Sequence, residues 1–197
     1  MLSPTKTIAA ACMLLLATAC AEAPPPAEPP LASASIGGDF TLTGTDGADV
    51  SWTDFEGKYR LVYFGYAFCP DICPNDVANL ARGYKALKES DPAAAQALVP
   101  IFISIDPERD TPDVVAEFAS AFSPDIVGLT GTPEQVAATA KKFAVYYAKG
   151  EETPDGGYLM DHSRSAILFG PSGEPIAPIS VDQGGKAVEA ELKQWVS

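Results

Sequence analysis

Leu61-Val-Tyr-Phe-Gly-Tyr-Ala-Phe-Cys-Pro-Asp-Ile-Cys-Pro74 is the stretch on which the fold turns. Leu61 to Tyr66 is an unbroken apolar run, the pattern of a strand buried on both faces. Beyond the cysteines, Val77, Leu80, Ala81, Tyr84 and Leu87 recur at helical spacing, so Cys69 and Cys73 sit where a buried strand hands over to a helix. A proline inside a helix lacks the amide the ladder needs and clashes with the preceding turn. The reading therefore starts the helix at Pro74, with Cys73 at its N-cap and Pro70 to Ile72 as a tight turn bringing Cys69 beside Cys73. The positive end of the helix favours thiolates there, while Asp71 and Asp76 oppose it.

Working outward, Phe40-Thr-Leu and Val50-Ser-Trp flank Asp46-Gly47 as an N-terminal β-hairpin. Ile101 to Ile105 reads as a second buried strand, followed by Thr111 as N-cap and Pro112 as first helical residue. A third strand is expected over Ile126 to Thr130. Thr132-Pro-Glu-Gln135 has the capping-box form, and Gly150 reads as the stop of that helix. Ala166 to Phe169 and Ile176 to Val181 then form a hairpin around Pro171-Ser-Gly173, before a closing helix from Lys186 to Val196. Strands alternating with helices, then a hairpin and a helix, predict an α/β domain: a thioredoxin-like mixed sheet flanked by helices. The terminal hairpin argues against a doubly wound parallel sheet.

The chain has 197 residues, 26 acidic and 13 basic, for a formal net charge of -13. A nucleic-acid partner, which needs a basic stripe, is excluded by that balance. Hydrophobic residues at 47% exclude a disordered chain, and one domain over 38–197 accounts for the length. A domain of this size folds without a disulfide framework, so each cysteine needs its own explanation. Residues 1–19 combine Lys6, an apolar run from Ile8 to Ala17 and small residues, the pattern of a secretory signal. Ala17-Thr-Ala-Cys20 resembles a bacterial lipobox, which implies lipidation at Cys20; plain cleavage and an uncleaved anchor are the alternatives. Either way the domain is expected on the periplasmic side of a bacterial membrane. Residues 20–37, with five prolines, read as a semi-rigid tether.

Cys69 and Cys73 are separated by three residues where thioredoxin-like oxidoreductases have two. That spacing can close a disulfide in the oxidised form or converge two thiolates on one metal ion. A purely stabilising bridge gains little from so short a loop. His162 is the only histidine, and the expected fold places its loop opposite the cysteine turn. Two thiolates and one imidazole make a soft donor set, matched to Cu(I) and able to take Cu(II). Asp161 is a candidate acceptor for orienting that imidazole, and Met160 reads as packing rather than as a thioether ligand. The turn Asp106 to Pro112, after the second strand, divides between a solvated cap and partner docking, with Asp106 as its candidate for supporting the site or docking. A peroxidase reading fails because Tyr66 stands where the peroxiredoxins place a threonine, three residues before the first cysteine.

Tyr63 to Pro74, Ser104-Ile-Asp-Pro-Glu-Arg-Asp-Thr-Pro112 and Asp161-His-Ser163, in that order, resemble the Sco/SenC family of copper proteins over about Phe40 to Val196. The resemblance implies a thioredoxin-like fold and copper held by Cys69, Cys73 and His162. It also implies assembly of the CuA centre of cytochrome c oxidase subunit II, with an upstream copper donor chaperone as the other partner. For some members it implies a thiol-disulfide reductase role instead, with Cys69 and Cys73 as the redox pair. This chain departs from the pattern at Met160 and in its lipoprotein-type leader, where many members have a transmembrane anchor.

Overall fold

The computed structural model describes residues 28–152 and 156–196; the expected leader, Cys20 and the first part of the tether lie outside them. Strands β1 (Thr41–Gly44) and β2 (Asp49–Ser51) pair antiparallel across the predicted turn. Gly47 holds a positive φ of 81° there, and the Ala48 amide donates to the Asp46 carboxylate.

Strand β3 (Tyr59–Gly65) runs parallel to β4 (Leu98–Ser104), which runs parallel to β5 (Val127–Thr130). The crossovers between them contain helices α1 (Ile72–Ser90) and α3 (Pro112–Phe122), with the short α2 (Pro92–Gln96) before β4. Helix α4 (Pro133–Lys142) follows β5, and the chain closes with β8 (Ala166–Phe169), β9 (Pro175–Ile179) and α5 (Gly185–Trp195). The main sheet has the order β2-β1-β5-β4-β3-β8-β9, with β8 antiparallel to β3 and to β9. A parallel βαβ unit joined to an antiparallel hairpin and a helix is the thioredoxin-like arrangement, as expected.

Alternation along β3 assigns the two sides of the core. Tyr63 stacks on Phe102, which meets Phe118 of α3. The next residue, Phe64, points the other way and packs on Phe143 at the end of α4. Trp52, Phe40 and Phe169 complete that second aromatic cluster. Gly83 lets α1 and α5 close together, since a β-carbon there would lie 2.4 Å from Val188.

Three expectations are corrected. The tether is not free up to Gly37: the Leu31 amide donates to Ile176 O and the Gly37 amide to Lys142 O, and both Leu31 and Ile36 pack on the core. Helix α4 stops at Lys142 rather than near Gly150, because Ala144 adopts φ 54° and the Val145 amide returns to Ala140 O, a stop usually made by glycine. The residues after it form strand β6 (Tyr147–Glu152), antiparallel to β7 (Tyr158–His162), in a separate two-stranded sheet. Helix α1 starts at Ile72, two residues before the predicted start. Pro74 then lies in the first turn, where amides have no intrahelical acceptor, so its missing N–H costs nothing. Among the described residues no helix is long and apolar enough to cross a membrane.

Candidate metal centre

Two distant segments bring the predicted site residues together. Cys73, on the first turn of α1, is buried; His162 ends β7, and its Nε2 lies 3.2 Å from the Cys73 sulfur. Gly65, the last residue of β3, makes room for this contact, because a β-carbon there would stand 3.2 Å from the Cys73 sulfur and 2.8 Å from the Tyr63 ring. Cys69 is half-buried on the loop, and its sulfur accepts a hydrogen bond from the Cys73 amide at 3.3 Å. That amide is one of the unpaired donors of the helix start, so α1 itself holds the second thiol in place. Both thiols are free.

The two sulfurs differ in acidity. Burial pushes the Cys73 thiol well above the ordinary thiol value. Burial also acts to raise Cys69, but the amides of Cys73 and Asp71 donating to its sulfur outweigh this and hold it below the usual value. Tyr66, which faces the pair, is pushed up to about 12, chiefly by burial.

The imidazole is fixed from several sides. Nδ1 donates to the Ser163 carbonyl at 2.9 Å, which leaves Nε2 unprotonated and directed at Cys73. The rings of Tyr63 and Tyr66 stand edge-on to it, with centroids 6.4 Å and 6.0 Å away. Asp161, proposed from the sequence as the orienting acceptor, is exposed at the preceding strand position, and the backbone of Ser163 takes that role. Burial lowers His162 from 6.5, with the Ser163 carbonyl partly opposing. The sign follows: an unfolded chain takes up the proton near 6.5 while the folded one resists it. The stability this group contributes is therefore complete above 6.5 and declines as pH falls below it. An NMR titration of the metal-free protein is expected to place the imidazole midpoint below 6.5, with unfolding easier at pH 5 than at pH 7.

Within the turn from Asp106 to Pro112, Glu108 and Thr111 are exposed, whereas Asp106 itself is 2% exposed and turned inward. Tyr158 OH donates to one carboxylate oxygen at 2.7 Å and Arg109 Nε to the other at 2.5 Å. Arg109 also donates to Tyr158 O and stacks 3.6 Å over the Tyr158 ring, so this turn anchors the strand that carries His162. Asp110, fully buried in the same turn, accepts from the Ala67 amide and from Ser104, tying the turn to the cysteine loop. Met160 packs against the core, as the sequence reading has it.

Tyr63, Arg109 and Arg164 surround the site without an individual sequence signal, together with Asp76, which the sequence shows only as a charge opposing the thiolates. Asp76 had a usable signal, since it lies one helical turn beyond Cys73 on the same face. Among the described residues no three His, Cys, Asp or Glu side chains are gathered closely enough to hold a metal ion as they stand. Cys73 and His162 are in contact, and Cys69 lies one turn away, engaged by the amide. The donor chemistry, two thiols and a neutral imidazole, suits a soft ion. A cavity of about 260 Å³ opens over Cys69 and His162, walled by Tyr66, Ile72, Leu159 and Met160. A larger open hollow of about 630 Å³ between α1 and the end of α3 holds none of these groups.

Comparison with known proteins identifies the family. Residues 28–197 match the SCO1/SenC family. The mitochondrial SCO1 homolog 1 of Arabidopsis thaliana is 43% identical over 143 residues, covering 73% of this chain and 42% of that protein. SenC of Rhodobacter capsulatus is 44% identical over 140 residues, covering 71% of this chain and 61% of that one. The crystal structure of Arabidopsis thaliana ScoI with copper bound superposes with a TM-score of 0.74 at 38% identity, over 81% of this chain and 97% of that chain. The aligned region spans about half the length of the curated relatives it matches. With a family match over nearly all described residues and relatives above 40% identity, the chain belongs to the SCO1/SenC family.

Proposed function

We propose that this protein is a membrane-tethered copper metallochaperone that carries one copper ion and assists assembly of the CuA centre in subunit II of cytochrome c oxidase. The observation that carries the reading is the Cys73 to His162 contact at 3.2 Å, made between elements 89 residues apart, with Cys69 beside it. Copper is the cargo. Cys69 releases the Cys73 amide and turns about its side-chain bonds toward the pair, which completes two thiolates and one imidazole. An acceptor bearing two thiolates then replaces these donors one at a time, and three ligands release more readily than a closed four-ligand cage. Ile72 and Leu159 are exposed at the opening and Phe68 is exposed next to Cys69 in the chain, and they offer apolar surface to the acceptor. An upstream donor chaperone loads the site, and Cys20, as a lipidated residue, holds the domain on the periplasmic face of a bacterial membrane.

The test is copper binding by the reduced chain in competition with a Cu(I) chelator. One equivalent is expected, with retention weakened in both Cys69→Ser and His162→Ala. Equal retention in His162→Ala would remove the three-ligand site.

The acidity difference between the thiols favours a second reading. A half-exposed thiol of lowered pKa beside a buried one of raised pKa is the division between an attacking and a resolving cysteine. In that role Cys69 attacks a disulfide of the oxidase copper site, Cys73 displaces the bound partner, and the pair leaves as a Cys69 to Cys73 disulfide while the partner leaves with two thiols.

A further inference from the structure

We propose that Asp76 and Arg164 form a clamp that positions His162 against Cys73; this rests on the reading of those two residues as copper ligands. Asp76 is 1% exposed and lies three residues beyond Cys73 on α1. Both of its oxygens are engaged: Arg164 Nη2 donates to Oδ1 at 2.8 Å, while Arg164 Nε at 3.2 Å and Tyr63 OH at 3.0 Å donate to Oδ2. One carboxylate therefore joins the helix that carries Cys73, the strand β3 and the link between β7 and β8. Arg164 lies two residues after His162, in a link with no strand pairing of its own. Among the described residues this is the one ion pair that fastens the link to α1.

The forked guanidinium defines distance and orientation together, which a point charge does not. A buried carboxylate deprived of that partner is strongly unfavourable, so the ion pair holds the link down on α1. Tyr63 transmits the same constraint, because its hydroxyl is fixed by Asp76 and its ring stands edge-on to the imidazole. Asp76 and Arg164 are positioning residues and touch no copper.

The experiment uses the full chain with Asp76→Asn, Arg164→Gln, Arg164→Lys and the double variant Asp76→Asn/Arg164→Gln. Each of the first two is expected to weaken Cu(I) retention about tenfold, the lower end of what orienting partners of metal ligands contribute. Arg164→Lys recovers only part of the loss, and the double variant is no worse than either single one. The metal-free readout is amide hydrogen exchange, expected to quicken over residues 158–164 while β3 and β4 keep wild-type protection. Unchanged exchange over 158–164 in Arg164→Gln overturns the clamp, as does a loss of protection spread evenly through the sheet. If Asp76→Asn fails to fold, Arg164→Gln alone decides. If the wild-type chain holds no copper, the copper reading falls and the exchange measurement still decides the clamp.

Discussion

Replacing Cys73 by serine is expected to abolish copper retention while leaving the domain folded. The sulfur is buried against His162, and a hydroxyl of similar size can donate to the same Nε2, so packing and hydrogen bonding survive. The soft donor is lost, and a neutral hydroxyl is a poor ligand for Cu(I). Chelator competition should show a fall of several orders of magnitude, with far-ultraviolet circular dichroism unchanged. The same variant separates the two functional readings. If the pair acts in disulfide exchange, Cys69 still attacks but nothing resolves the adduct, and a mixed disulfide with the oxidase subunit accumulates. Wild-type copper retention in Cys73→Ser would show that Cys73 is not a ligand.

Trp52→Ala should produce the largest loss of stability, about 3–5 kcal/mol and about 10 °C in Tm. Trp52 is 4% exposed and meets Phe40, Phe143 and Phe169 with centroids 5.3 to 5.5 Å away. The guanidinium of Arg60 lies 4.3 Å over its ring and is itself 2% exposed. Truncation leaves a cavity and strips a buried cation of its aromatic partner. This cluster occupies the face of the sheet opposite α1, so the copper affinity of the folded fraction is expected to stay at the wild-type value. Thermal denaturation and chelator competition on one preparation check both halves. A shift below about 1 kcal/mol would mean the cluster repacks around the gap.

The order of the main-sheet strands and of α1, α3, α4 and α5, the β-hairpin at Asp46-Gly47 and the caps at Thr111 and Thr132 are all legible in the sequence, because each depends on residues within one or two turns. Both threonines cap as read, accepting from the Val114 and Gln135 amides. The placement of Cys69 and Cys73 at the junction of β3 and α1 is local in the same way. Helix α1 starts earlier than its prolines suggest because the rule against proline in helices does not extend to the first turn. The hairpin of β6 and β7 leaves no clear sequence signal because an alanine, not a glycine, makes the left-handed stop after α4, and because β6 is polar and only half covered.

What the sequence determined was therefore the set of candidate donors, Cys69, Cys73 and His162, and the fold that faces them toward one another. Only the tertiary structure decided which donors meet and what holds them. The contact of Cys73 with His162 and the grip of Asp76 on Arg164 join positions 89 and 88 residues apart, so no local pattern encodes them. The pairing of β3 with β8 and the anchoring of β7 by Arg109 bring those segments within hydrogen-bond reach. Burial of Cys73 and the amide hydrogen bonds to Cys69 then separate the acidities of two thiols that are equivalent in the unfolded chain.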